Sequence, residues 1–196
     1  MTNLLVSEED KASTPLTEEE REDLIPSYIS LRSELNEAEQ RNIIAAEEWA
    51  FKSKRDVLSE KFLKNLHKKM FGKVWRWAGV IRTSERNIGV DAYRISTELR
   101  QLIDDCKCWI EFKTYEPDEI AARFSHRLVK IHLFLNGNGR HSRIAVDLLI
   151  VSLGRKRFTW GRSSLMDVGE TRKKYIEALH AADNHDYVKF LEFVRS

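Results

Sequence analysis

The chain has 196 residues, 33 Lys+Arg against 31 Asp+Glu for a formal net charge of +2, a 42% apolar fraction and two cysteines. That length and apolar content suit one domain with a real core plus an extension, and they exclude a small disulfide-stapled scaffold. The near-zero charge hides a split: residues 1–48 hold 4 Lys+Arg against 13 Asp+Glu, a net of −9, and residues 49–196 hold 29 against 18, a net of +11.

Residues 1–16 read as a polar, mobile arm, and Thr17 with Glu20 forms a capping-box pattern for a short helix that Pro26 stops. From Tyr28 to about Lys52 one long helix is predicted, with Ser27 as a candidate cap, Leu31, Leu35, Ile43 or Ile44, Trp49 and Ala50 as its apolar stripe and most glutamates facing elsewhere. Residues 56–70 form a second amphipathic helix, capped by Asp56 and closed by Gly72. Val74 to Ile95 has no 3.6 period and carries Trp75, Trp77, Gly79, Gly89 and Tyr93, which points to loops and a small β-hairpin. Helical periodicity returns over Ser96–Glu111, and Pro117-Asp118-Glu119 opens another helix whose core face is Ile120, Phe124, Leu128 and Ile131. Arg140–Leu153 is apolar on most sides, as a central buried helix is, and Thr171–Ala182 and Asp186–Val194 complete the series.

The fold class is therefore all-α with one inserted β-hairpin. Three segments are expected: an acidic, partly mobile arm over 1–26, an N-terminal helix over 27–54, and the main domain over 55–196. Cys106 and Cys108 are i,i+2 neighbours on a helix, where side chains point apart, so reduced thiols and a cytoplasmic location are expected. The N-terminus lacks a secretory pattern, and the greasiest run, Ile144 to Leu153, is too short to cross a bilayer, so no membrane partner is expected.

The chemistry is concentrated in Ile131-His132-Leu133-Phe134-Leu135-Asn136-Gly137-Asn138-Gly139-Arg140-His141-Ser142-Arg143. Gly137 and Gly139 can take positive φ, so that successive N–H groups turn toward one point, and the next helix aims its positive dipole end there. Arg140 and Arg143, three apart on the first turn, can both reach an anion held in that nest. His132 at the loop entrance is of a residue type that titrates near neutrality and can take a proton from an attacking hydroxyl. Taken singly, Gly-Asn-Gly is a common turn, a histidine at a helix end a common cap, and two arginines a solvated pair. Arginines at a helix N-terminus are nevertheless disfavoured by the dipole unless an anion is present. The combination points to nucleotidyl or phosphoryl transfer.

This loop resembles the signature of the Fic (filamentation induced by cAMP) family, His-Pro-Phe-x-(Asp/Glu)-Gly-Asn-Gly-Arg-x-x-Arg, through His132, Phe134, Gly137, Asn138, Gly139, Arg140 and Arg143. The run Phe71 to Gly79 and the expected hairpin resemble the family's flap, and the layout is similar to the branch called mobile mystery protein B. The resemblance covers residues 27–196. It implies transfer of AMP from ATP to a hydroxyl of a target protein, with the chain itself as one candidate target. His132 would deprotonate the target, Gly137, Asn138 and Gly139 would cradle the α- and β-phosphates, and Arg140 and Arg143 would take the β- and γ-phosphates. Phe134 would anchor the loop, and the flap residues Asn87, Ile88, Gly89 and Val90 would dock the target by strand addition. Leu133 stands where the family has Pro, which alters loop stiffness. Asn136 stands where the family has the acid that helps hold Mg²⁺. An amide oxygen can ligate Mg²⁺ without the acid's charge, so the ion is still expected, at reduced affinity.

The resemblance also implies an inhibitory helix. Ser30-x-x-x-Glu34 matches its Ser and Glu, with Leu35 where Gly or Asn is usual, and Ser33-x-x-x-Glu37 is a poorer register. Glu34 would pair with Arg143 and displace the γ-phosphate; the plainer reading is a solvated glutamate on an amphipathic helix. Among rivals, phosphotransfer is disfavoured because the chain keeps Gly139-Arg140. Reversal of AMP transfer and a weak nucleotide-binding regulator stay open, the latter because of Asn136. His126, His132 and His141 lack the spacing of a zinc site, and His67, His180 and His185 read as surface or capping residues. Arg155-Lys156-Arg157 and Arg172-Lys173-Lys174 read as solvated helix ends more readily than as a nucleic-acid surface. Oligomeric state is not legible.

Overall fold

The computed structural model describes residues 18–161 and 168–196, so the N-terminal arm and the expected Thr17 cap lie outside the described residues. The described residues are helical: α1 (Glu18–Glu22), α2 (Arg32–Phe51), α3 (Glu60–Phe71), a 3₁₀ turn (Ala92–Arg94), α4 (Ile95–Glu111), α5 (Pro117–Ile131), α6 (Asn138–Ser152), α7 (Val168–Asp183) and α8 (Val188–Arg195). The chain divides into two compact units, one of residues 1–53 and 64–80, the other of 54–63 and 81–196.

In the unit of 1–53 and 64–80, α2 starts at Arg32, four residues later than the periodicity suggests. The reason is local. The Glu34 carboxylate accepts the backbone N–H groups of Ser30 (2.8 Å) and Leu31 (3.1 Å) and the Ser30 hydroxyl (3.4 Å), so the residues before Arg32 close a cap instead of a helical turn. Leu35, Ile43, Ala46 and Ala50 form the buried stripe, and Glu39 is buried with them. The carboxylate of Glu39 accepts the Trp75 indole N–H at 2.6 Å, so not every glutamate of this helix faces water. Trp75 stacks on Trp77, centroids 5.3 Å apart, and the Leu24–Trp75 contact is an isolated antiparallel bridge. His67 is fully buried, contrary to the surface expectation, and its Nδ1 accepts the Gly79 N–H at 2.9 Å. A histidine there satisfies a turn N–H that an apolar side chain would orphan.

In the unit of 54–63 and 81–196, the start of α3 is capped by Ser59, whose hydroxyl accepts the Phe62 N–H at 3.3 Å, and not by Asp56. Pro117 opens α5 as expected, with no N–H to orphan at that position. Packing runs α4 on α5, α5 on α6, α5 on α8 and α7 on α8. The central helix is α6, where every residue from Ile144 to Ile150 is buried. Each fully buried Leu, Ile or Phe side chain of this core contributes about 1.5–3 kcal/mol.

The expected β-hairpin is a correction. Residues 80–91 hold no strand. Arg82, almost fully buried, forks its guanidinium between the carbonyls of Ser84 (2.9 Å) and Val90, on the two arms of the turn. The side chain thereby takes acceptors that a ladder of backbone N–H groups would otherwise need.

Candidate active site

The site is built where α5 ends and α6 begins. His132 closes α5 in the left-handed conformation, φ 57° and ψ 64°, a region that costs a non-glycine residue about 1–3 kcal/mol and clusters at functional positions. Its carbonyl accepts Nε of Arg82 at 2.7 Å, and the next carbonyl, of Leu133, accepts the Arg82 backbone N–H at 2.9 Å. Half-burial holds the imidazole pKa below its ordinary value, and the positive charges of Arg82 and Arg86 push the same way. The ring is therefore kept neutral and able to accept a proton.

The loop that follows is closed by its own asparagines. Oδ1 of Asn138 accepts the Phe134 N–H at 2.9 Å and Nδ2 donates to the Phe134 carbonyl at 2.8 Å, so this buried side chain clamps the turn. Oδ1 of Asn136 accepts the Gly137 N–H at 2.6 Å. Gly137 takes φ 78° as expected. Gly139 does not adopt positive φ: it lies in the first turn of α6, and a Cβ built there meets nothing within 4 Å. Gly139 thus leaves open space above a helix N-terminus rather than forming a strained turn. Phe134 is fully buried with its ring edge-on to His141 (5.1 Å), and Nε2 of His141 donates to the Leu63 carbonyl at 2.9 Å. Burial pushes the His141 imidazole down to about 4.

His132, Asn136, Gly137, Asn138, Gly139, Arg140 and Arg143 all line one cavity of about 1010 Å³, and of the flap residues Ile88 joins them. Asn87 and Gly89 are exposed and Val90 is half-buried. Arg140 is exposed, whereas Arg143 sits with its guanidinium 5.1 Å from the Tyr175 ring centroid and 5.7 Å from that of Trp160. Nε of Arg143 and the Tyr175 hydroxyl are buried without a hydrogen-bond partner, so the cavity wall has polar groups that a ligand can satisfy. Ser30 and Glu34 lie in the other unit, where they form the α2 cap described above. The three cap hydrogen bonds hold the Glu34 carboxyl below its usual range, that from the Ser30 N–H contributing most.

Sequence reasoning passed over Arg82, Trp160, Tyr175 and Asp147. Arg157 is exposed as expected, and its guanidinium also binds the buried Asp147 at 3.0–3.1 Å. The i,i+4 pair Arg143 and Asp147 on a greasy helix was the available signal, since a buried carboxylate needs donors from elsewhere in the chain. His126 is held by the Tyr187 hydroxyl (3.2 Å) and Asp183 (3.1 Å), and among the described residues no group of three or more His, Cys, Asp and Glu could hold a metal ion.

Among the described residues, a helical arrangement thus brings a glycine-containing loop at a helix start, two arginines and a histidine onto one cavity. Residues 57–150 match the model of the Fic/DOC family. The protein adenylyltransferase fic-1 of Caenorhabditis elegans is 30% identical over 124 residues, 60% of this chain and 22% of that protein. The protein adenylyltransferase Fic of Aedes aegypti is 26% identical over 146 residues, 72% of this chain and 28% of that protein. The chain thus spans 22–28% of the length of these curated relatives. Among solved structures, BepC of Bartonella tribocorum with bound AMPPNP superposes with a TM-score of 0.68 at 18% identity, covering 91% of this chain and 97% of that one. Fic-1 of C. elegans (residues 134–508) gives 0.66 at 24%, covering 88% and 50%. Among the described residues no helix is long and apolar enough to cross a membrane.

Proposed function

We propose that the chain transfers AMP from ATP to a hydroxyl of a target protein. The observation that carries this reading is a left-handed His132 on the same cavity as Gly137, Gly139, Arg140 and Arg143. The adenylyltransferase names of the curated relatives support it. In the reaction, His132 takes the proton of the target hydroxyl as its oxygen attacks the α-phosphorus. The bond from that phosphorus to its bridging oxygen breaks, and pyrophosphate leaves. The α6 N-terminus and the Gly137–Gly139 backbone hold the phosphates, and Arg140 and Arg143 balance charge on the β- and γ-groups. The flap, Asn87 to Val90, is the proposed docking edge for the target backbone.

Mg²⁺ belongs to this reading, with a weak protein contribution. Asn136 offers one neutral oxygen that already accepts the Gly137 N–H, so phosphate oxygens and water would complete the shell and the ion would neutralise phosphate charge. Autoinhibition by Glu34 and Ser30 also belongs here. A glutamate that caps its own helix is pre-positioned as an anion, the property that a competitor of the γ-phosphate for Arg143 needs. Two free cysteines support a cytoplasmic setting.

ATP labelled on the α- or γ-phosphate tests the reading. Label from the α position, lost in His132→Ala, is the expected result, and γ label would replace AMP transfer with phosphotransfer. A second reading, a nucleotide-binding regulator, is favoured by the engaged Asn136, and nucleotide binding without transfer of either label would establish it.

A further inference from the structure

The general base and the flap meet through one side chain. Arg82 is 2% exposed and donates to three carbonyl oxygens: Nε to His132 (2.7 Å), Nη1 to Ser84 (2.9 Å) and Nη2 to Val90. Its own backbone N–H adds a fourth bond, to Leu133 at 2.9 Å. The rigid guanidinium fork therefore ties the residue that follows α5 to both arms of the flap. The flap backbone closes on the same spot. Gly89 has φ 101°, and a Cβ there would lie 2.6 Å from Cβ of His132 and 2.8 Å from Nη2 of Arg82. No side chain separates the flap from the base.

We propose that Arg82 is a positioning residue that sets the His132 backbone and the flap as one unit, so that the base points at the hydroxyl which the flap presents. This rests on the AMP-transfer reading. The argument is energetic as well as geometric. A left-handed histidine persists only when its surroundings over-determine it, and the bond from Arg82 to the His132 carbonyl is one that the relaxed backbone would lose. A buried guanidinium is costly unless its donors are satisfied, and the three carbonyls are available together only while the flap is folded against His132. The conformation of each part thus depends on the other. The cationic charge beside the imidazole adds to this by favouring its neutral form, with Arg86 in the same sense and burial the larger cause.

The test is Arg82→Gln, which keeps one amide donor group on a shorter side chain and removes the charged fork. Transfer of α-label at saturating ATP is expected to fall about 10²-fold, as a misplaced reacting group costs, with ATP affinity within about threefold of wild type. The acid limb of the pH–rate profile and the His132 pKa by NMR should move to higher pH, and the HN–Hα coupling of His132 should lose its left-handed value. Loss of the charge alone would raise the His132 pKa, whereas a merely structural arginine would leave the His132 coupling unmoved. Retained transfer, ATP affinity lost in step with transfer, or an unmoved His132 pKa and coupling would each overturn the proposal. Should Arg82→Gln not fold, Gly89→Val serves: its added atoms displace the flap from His132 and Arg82, and the same loss of transfer with retained ATP binding is required, while unchanged transfer overturns the proposal. If wild-type protein moves no label at all, the AMP-transfer reading falls separately, and the His132 pKa and coupling still decide the Arg82 assignment.

Discussion

The carboxylate of Asp147 accepts the indole N–H of Trp160 at 2.9 Å, and this bond builds one wall of the site. Trp160 holds a left-handed backbone, φ 56°, and its ring stands beside the Arg143 guanidinium. Arg157 closes the other oxygen of the same carboxylate. Burial raises the Asp147 pKa, and the hydrogen bonds of Trp160 and Arg157 oppose it. Asp147→Ala removes the acceptor for both donors, and leaving a buried indole N–H unsatisfied costs about 1–3 kcal/mol. Urea unfolding should show a loss of that order. ATP affinity should weaken as well, because Trp160, one of the two aromatic rings beside Arg143, loses its anchor.

His141 makes stability depend on pH. Its folded pKa lies near 4 against 6.5 in the open chain, so between those values the unfolded state binds more protons than the folded one. The stabilising contribution is complete above pH 6.5 and falls as pH drops toward 4, at about 1.4 kcal/mol for each unit of displacement. Denaturant midpoints measured across this window should decline with acid, more steeply than those of His141→Gln.

Asn138→Ala removes both bonds that clamp Phe134. Losing these two buried hydrogen bonds costs about 0.5–1.5 kcal/mol each. Thermal melting should fall accordingly. Because the clamp shapes the loop between His132 and α6, α-label transfer should fall more than fold stability accounts for.

Glu34→Gly separates two roles of one carboxylate. The cap on α2 is lost, so amide exchange at Leu31 and Ser30 and over the first turn should accelerate. If Glu34 also restrains the site, self-transfer of AMP should rise in the same variant. Faster exchange with unchanged label incorporation would leave the cap and remove the inhibitory role.

Much of the architecture was legible because it rests on local rules. Pro117 with two acids marks the start of α5, and the apolar run after Arg140 marks a helix with no solvent face. The gathering of the loop residues was legible for a similar reason: Gly137, Arg140 and Arg143 stand at fixed offsets from His132, and a helix start converts offsets into directions. Boundaries were less legible. Ser30 and Leu31 are compatible with a helix until Glu34 reaches back to cap it, and Asp56 is a good cap residue that Ser59 displaces by three positions.

By itself, the sequence determined the helical character of the described residues and the gathering of His132, Gly137, Arg140 and Arg143 around one helix start, because helix periods, caps and short-range spacing depend on neighbours in the chain. Only the tertiary structure decided that the segment after Val80 is held by a buried arginine instead of a β-ladder, that His67 and Glu39 are interior, and that Gly139 lies under open space. It also brought Arg82, 50 residues away, to the His132 carbonyl. Those outcomes depend on which donors and acceptors burial brings together, and spacing along a chain does not encode that meeting.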